Sequence, residues 1–208
     1  MNERKPEKPP EQQARDQERS LARDTQKEKM LIAAAQLFRE NGFHRTTLDE
    51  IAKGVGLTKP RLYAHFQNKQ EILRNCVKRA LRQWDAATDQ IQKSEPGEAM
   101  LRLIVERYAN IAFGDFGFCA IFIGVNSLAL GERDRFLRQK ADVDARFNSL
   151  MAAAIPREIL SQADSEFLWL TATSLVHGIA LLKVPPIGMH EILSKALGTV
   201  LVGSNIKA

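Results

Sequence analysis

The stretch that decides the fold is Thr46-Thr47-Leu48-Asp49-Glu50-Ile51-Ala52-Lys53-Gly54-Val55-Gly56-Leu57-Thr58-Lys59-Pro60-Arg61-Leu62-Tyr63-Ala64-His65-Phe66. Thr47 and Glu50 stand at the spacing of a capping box, in which each side chain satisfies a backbone N–H that a helix start leaves orphaned. They open a short helix over 48–53, and Gly54 and Gly56 break it. Thr58 caps a second short helix over 59–65. Pro60 falls in its first turn, where a missing N–H costs nothing. Two short helices joined by a turn that contains Gly56 make a helix-turn-helix.

The flanks complete a three-helix unit. Upstream, Thr25 and Glu28 repeat the capping-box spacing and predict a helix that starts near Thr25 and ends at Gly42 as a left-handed cap. Met30, Leu31, Ala34, Leu37 and Phe38 recur on one face of it. Downstream, Asn68 and Glu71 give a third box and open a long helix to about Lys93. Its apolar stripe is Ile72, Leu73, Cys76, Val77, Ala80, Leu81 and Trp84. Leu48, Ile51, Ala52, Leu62 and Phe66 are expected to pack back on the first helix. That leaves Lys59, Arg61, Tyr63 and His65 exposed, with no acid between Thr58 and Gln70. Such groups suit phosphate oxygens and base edges.

The charge of the chain points the same way. Its 208 residues carry a formal net +5. Residues 1–29 hold eight basic and seven acidic side chains, residues 30–80 nine and four, and residues 81–208 thirteen and fourteen. The excess therefore sits on the helix-turn-helix region, where a local positive field attracts an acidic partner. Residues 1–24 are polar and Pro-containing and are expected to form a flexible charged arm. A helical extension from about Gln12 also fits their Gln, Ala, Arg and Glu content.

Beyond residue 75 helical spacing continues and strand alternation is nearly absent. Helices are predicted over 99–112, 118–130, 132–154, 164–183 (capped by Asp164) and 190–202, with a loop at Gly114, Asp115 and Gly117 and a bend at Pro156. The expectation is an all-α chain of about nine helices: an arm over 1–24, a DNA-binding domain over 25–75 and a helical domain over 76–208. Two cysteines exclude a disulfide framework, and without a CxxC pair no metal or cofactor is expected. No nucleophile–base motif or phosphate-cradling glycine loop suggests an enzyme. The amino terminus lacks an apolar signal region, and the apolar run 111–130 is interrupted by Asp115, Asn126 and three glycines. A soluble cytoplasmic protein is expected.

The run Met30 to Phe38, then Gly42-Phe43, Thr46-Thr47, Ile51-Ala52, Gly56-Leu57-Thr58, Leu62 to Phe66 and Lys69 to Leu73 resembles the TetR family of bacterial transcriptional regulators, over about a quarter of the chain. The resemblance implies that Thr46 and Thr47 meet a phosphate and cap a helix, and that Thr58, Lys59, Pro60 and Arg61 begin the recognition helix. It implies further that Tyr63 meets the DNA backbone and that His65 and Lys69 grip phosphates. Pro60-Arg61 replaces the commoner Gly-Thr pair, and an arginine there favours guanine.

The resemblance also implies a homodimer on double-stranded, pseudo-palindromic operator DNA, with half-sites about one helical turn apart. The dimer would form through the last two long helices, with Leu168, Ala172, Leu175 and Ile179 on one and Leu193, Leu197, Val200 and Leu201 on the other. An effector pocket for a small hydrophobic ligand is expected among Trp84, Tyr108, Phe113, Phe118, Phe122, Phe147 and Trp169, with Arg107, Asn126, Thr173 and His177 as polar anchors. A plain aromatic core fits the same residues. The reading is a repressor released by its effector. The alternative left open is a DNA-binding architectural or partner-binding protein of the same fold, without an effector.

Overall fold

A computed structural model of the chain describes residues 10–155 and 162–181. Among these residues there is no strand and there are eight helices: α1 (Pro10–Asn41), α2 (Leu48–Gly54), α3 (Lys59–Tyr63), α4 (Lys69–Ile91), α5 (Glu98–Phe113), α6 (Asp115–Ser127), α7 (Leu130–Ala154) and α8 (Gln162–Leu181). The predicted helix over 190–202, with Leu193, Leu197, Val200 and Leu201, lies outside the described residues.

The head is α1 to α3 with the start of α4. Met30, Leu31, Ala34 and Phe38 of α1 are fully buried together with Ile51, Leu62, Phe66, Ile72 and Leu73. Gly42 adopts a φ of 83°, the left-handed value expected of it, and Gly56 in the turn adopts 67°. Thr47 and Glu50 form the capping box in full. Asn68 caps α4 by accepting the Glu71 N–H, while Glu71 reaches back to the N–H of Gln67.

Two expectations about element boundaries are corrected. The first helix does not start at Thr25 but runs unbroken from Pro10, in line with the alternative of a helical extension from about Gln12. Thr25 sits inside it and turns its hydroxyl to the carbonyl of Leu21, a local bond that competes with capping. The loop at Gly114, Asp115 and Gly117 is a one-residue corner at Gly114, after which α6 leaves α5 at 77°. Asp115 and Gly117 are already helical.

Alpha4 belongs to both halves. Its first turns complete the head, and Ala80, Trp84, Ala87 and Ile91 pack into a body formed with α5 to α8. Arg39 ties the halves together. Its guanidinium donates to the carbonyls of Phe113 and Gly114, each at 2.7 Å, and lies over the Phe118 ring. The end of α1 thus satisfies carbonyls that the corner at the end of α5 leaves open. The middle of α6, Cys119–Gly124, is a π-helix. Gly124 lets it close on α4, since a Cβ there would meet Val77 at 3.2 Å. No single helix among the described residues is long and apolar enough to cross a membrane.

The corner makes a test. A Cβ on Gly117 would stand 1.9 Å from the carbonyl oxygen of Ile111, a backbone atom that cannot swing away. Gly117→Ala is expected to lower stability by about 2 kcal/mol or more in thermal or urea unfolding. Gly131→Ala, which meets nothing within 4 Å, is expected to be neutral or slightly stabilising in the same assay.

Candidate DNA-binding face and effector core

The exposed side of α3 is built by burying the other side. Leu62 is fully buried and Phe66 nearly so, which turns Thr58, Lys59, Pro60, Arg61 and Tyr63 outward. Thr58 stands at the helix start with no capping bond from its side chain. Tyr63 is 46% exposed, high for a phenol in a small head. Lys59 pairs with Asp49 of α2 at 3.1 Å, and that hydrogen bond holds its ammonium above the ordinary lysine value. Both partners are half-exposed, so the pair is weak and open to exchange for a phosphate.

His65 is partly buried. Burial, then Lys27, Arg23 and Arg61, hold its imidazole below the ordinary value. Two of those cations come from α1. The positive field of α3 is therefore continuous with that of the first helix, which sequence reasoning missed. The available signal is the four-residue spacing of Arg23 and Lys27.

Two expected phosphate contacts turn their polar groups inward. Thr46 is 1% exposed, and its hydroxyl donates to the carbonyls of Leu37 and Gly42. Its side chain closes the end of α1, whereas Thr47 does the capping. Lys69 turns its ammonium inward to the carbonyls of Phe43 (2.6 Å), His44 (3.1 Å) and Thr46 (2.8 Å) and sits over the Phe43 ring. Three acceptors use all three ammonium donors. Burial lowers the Lys69 pKa, with Glu50 opposing. Lys69 clamps the loop between α1 and α2 rather than reaching outward.

In the body, the expected aromatic residues do come together, but they fill one another's space. Trp84 stacks on Tyr108 (5.5 Å between centroids), and Phe147 stacks on Trp169 (5.1 Å). Tyr108 meets Phe147 and Trp169 edge-on, and Phe122 meets Phe118 and His177. The Tyr108 hydroxyl and His177 Nε2 lie 2.9 Å apart. Burial pushes the phenol up and holds the imidazole below its ordinary value. Phe113 is only partly buried, at the α5 end held by Arg39.

The other anchors fall elsewhere. Asn126 is exposed. Thr173 spends its hydroxyl on the carbonyls of Trp169 and Leu170 in its own helix. Arg107 points into a separate cleft of about 530 Å³ with Glu28, Ile32, Gln83 and Asp115. Sequence reasoning missed Lys140 and Asp144, whose signal is an i, i+4 pair on α7. Lys140 bonds both Asp144 oxygens at 2.6 and 2.7 Å and lies over the Trp84 and Tyr108 rings. The indole N–H of Trp84, fully buried beneath it, has no partner among the described residues. Cys76 and Cys119 are fully buried, and burial pushes the Cys76 thiol up, as core cysteines do.

Alpha8 corrects the expected dimer face. Leu168, Ala172 and Ile179 are buried inside a single chain, and Leu175 packs against the same core. The opposite side carries Phe167 (70% exposed), Leu170 (62%) and Leu181 (60%), with Ser174 and Gly178 between them. Both faces of the helix are apolar, so periodicity could not say which one turns outward.

The Lys69 clamp is testable. Lys69→Met is expected to lower the thermal midpoint of the chain, with a cost of about 2 kcal/mol from the missing charged hydrogen bonds. It is expected to leave the salt dependence of DNA binding unchanged. An unchanged midpoint with a slope flatter by about one unit would make Lys69 a phosphate contact after all.

Residues 31–76 match the pattern of bacterial regulatory proteins of the tetR family. The chain is 27% identical over 112 residues to the fatty acid metabolism regulator protein of Bacillus subtilis, covering 53% of this chain and 56% of that one. It is 47% identical over 51 residues to IcaR of Staphylococcus epidermidis, the negative transcriptional regulator of the biofilm operon icaADBC, covering 24% and 28%. The chain thus spans about half the length of the first relative and about a quarter of the second. Its fold is similar to the crystal structure of AibR in complex with isovaleryl coenzyme A and operator DNA (TM-score 0.69, 19% identity, 85% of this chain and 97% of that one). The helix-turn-helix head thus matches the tetR-family pattern over residues 31–76, and head and all-helical body together share the fold of AibR.

Proposed function

We propose that the protein is a homodimeric repressor that holds a pseudo-palindromic operator and is released by a small hydrophobic effector. The observation that carries the DNA-binding part is the outward face of α3. Thr58, Lys59, Pro60, Arg61 and Tyr63 lie there over a buried Leu62 and Phe66, with the cations of α1 beside them. Arg61 is the residue for base edges, with guanine its best partner through O6 and N7. Thr47, Lys59, Tyr63 and His65 suit the backbone. One α3 of five residues spans few base pairs, which favours two heads on two half-sites. The exposed Phe167, Leu170 and Leu181 of α8 suit a two-fold partner helix, since Ser174 and Gly178 between them allow close approach. Repression is the direction taken by the staphylococcal relative.

The effector part rests on the aromatic core. It is packed, so a ligand must part it, and what it then meets is specific: apolar rings, an indole N–H with no partner among the described residues, and the Lys140 ammonium. That combination suits an acyl or aromatic body with a polar or anionic head. AibR, of the same fold, holds isovaleryl coenzyme A. The chain has only two tryptophans, and both Trp84 and Trp169 lie in this core. A ligand that enters it cannot leave their emission unchanged. Titration of acyl-coenzyme A thioesters of graded chain length is expected to shift tryptophan fluorescence. It is expected to release a fragment from upstream of the protein's own gene over the same concentration range. Release with silent tryptophans would place the effector elsewhere, and a fragment never bound would remove the operator reading.

His65 gives a pH test. Its neutral state in the free protein follows from burial and from Lys27, Arg23 and Arg61. A phosphate beside the ring favours imidazolium, so the complex takes up a proton that the free head does not hold. Operator affinity is therefore expected to rise as pH falls from about 7.5 through the ordinary histidine value near 6.5, by at most about tenfold per pH unit. His65→Gln is expected to flatten that rise in anisotropy titrations. A wild-type affinity that falls with acidity would contradict the contact.

A further inference from the structure

Alpha1 is far longer than the head needs. Its buried face begins at Met30, yet the helix starts at Pro10. Along the intervening turns Arg15, Glu18, Arg19, Leu21, Arg23 and Asp24 are exposed, and Leu21, the one large apolar side chain among them, is 63% exposed. This part of the helix has no apolar face to bury. What it has is a sorted set of charges.

Arg15, Arg19, Arg23 and Lys27 follow one another at intervals of four. Each step drifts about 40° around the helix, so the four occupy an arc of roughly 120°. Glu11, Glu18, Asp24 and Glu28 fall on the remaining arc, and position 16 is the one acidic place on the cationic side. Glu28 pairs with Arg79 of α4 at 2.7 Å. None of Arg15, Arg19 and Arg23 belongs to an ion pair among the described residues.

The lower end of the stripe is fixed to the reading head. Lys27 Nζ stands 5.2 Å from the centroid of Phe66, one of the two side chains that anchor α3. Arg23 and Lys27 act on His65 together with Arg61 of α3. From Lys27 to Arg15 the stripe runs about 18 Å, at 1.5 Å per residue. That is about five base-pair steps of duplex at 3.4 Å each. A row of cations that starts beside the recognition helix and leads away from it fits the phosphate backbone next to a half-site.

We infer that the amino-terminal half of α1 is a phosphate-gripping arm, in which Arg15, Arg19 and Arg23 hold the DNA backbone on the flank of the half-site that α3 reads. The inference rests on the operator reading of α3 and adds a grip that α3 cannot make. These arginines carry no base information. They add affinity, salt dependence and footprint length.

The test uses the full chain and an operator selected by the wild type, in one fragment trimmed to the palindrome and one extended by half a helical turn on each side. The wild type is expected to bind the extended fragment more tightly and with the steeper salt dependence. In Arg15→Gln/Arg19→Gln/Arg23→Gln that advantage is expected to vanish. Its salt slope on the extended fragment falls by about 0.9 for each phosphate that the variant no longer neutralises, while the trimmed fragment is bound as before. The matching Arg→Lys triple variant keeps the charges and is expected to keep the slope, which separates electrostatics from damage to the helix. Equal slopes for the wild type and the Gln variant on the extended fragment, with the palindrome still bound, would overturn the arm and leave the operator reading intact. A Lys variant that falls with the Gln variant would overturn it too. A wild type that selects no palindrome would overturn both.

Discussion

A five-residue helix cannot hold its own shape in water, because the first turn costs more order than its few hydrogen bonds return. Alpha3 is such a helix, and its outward residues depend on what fixes it from behind. Leu62 and Phe66 do this by burial in the core that α1 builds from Met30, Leu31, Ala34 and Phe38. Lys69 and Thr46 hold the loop that leads into α2 through hydrogen bonds to carbonyls. The groups that face outward are then placed by groups that face inward. Thr46 and Lys69, which look like DNA contacts in the sequence, turn inward for that scaffold.

The same logic connects head and body. Alpha4 is shared by the two cores, so its inclination is common to both. Arg39 joins the end of α1 to the corner between α5 and α6, and Arg74 of α4 pairs with Glu132 of α7. On the proposed reading, an effector that parts the rings around Trp84 acts on α4 directly. Full release needs about 5.5 kcal/mol of preference for the released form. The packed aromatic core can supply such a preference, because a ligand that parts it meets an indole N–H that has no partner among the described residues.

Much of the head is legible in the sequence. Capping boxes, glycine breaks and the buried face of α1 are local signals: Thr47–Glu50 forms its box, Gly42 is the left-handed cap expected, and Gly56 falls in the turn after α2. What is not legible depends on tertiary partners. Thr25 has the spacing of a cap, but a helix already in progress keeps it inside. Lys69 reads as a surface cation because no pattern shows that three loop carbonyls will converge on it. The apolar set of α8 stands out, but with both faces apolar only the packed chain shows that Leu168 points in and Leu170 points out. Lys140 and Asp144 do not stand out, because a charged pair at i, i+4 is ordinary on any solvated helix.

The central claim is that the outward face of α3, set in a two-headed assembly, reads DNA sequence. The most direct measurement is selection of duplexes from a random library by the full chain, sequenced after several rounds. The account predicts a two-fold pattern with half-sites about one helical turn apart and a guanine in each, and disappearance of that guanine preference in Arg61→Ala. Enrichment of no sequence, or a pattern that Arg61→Ala leaves unchanged at every position, would contradict it.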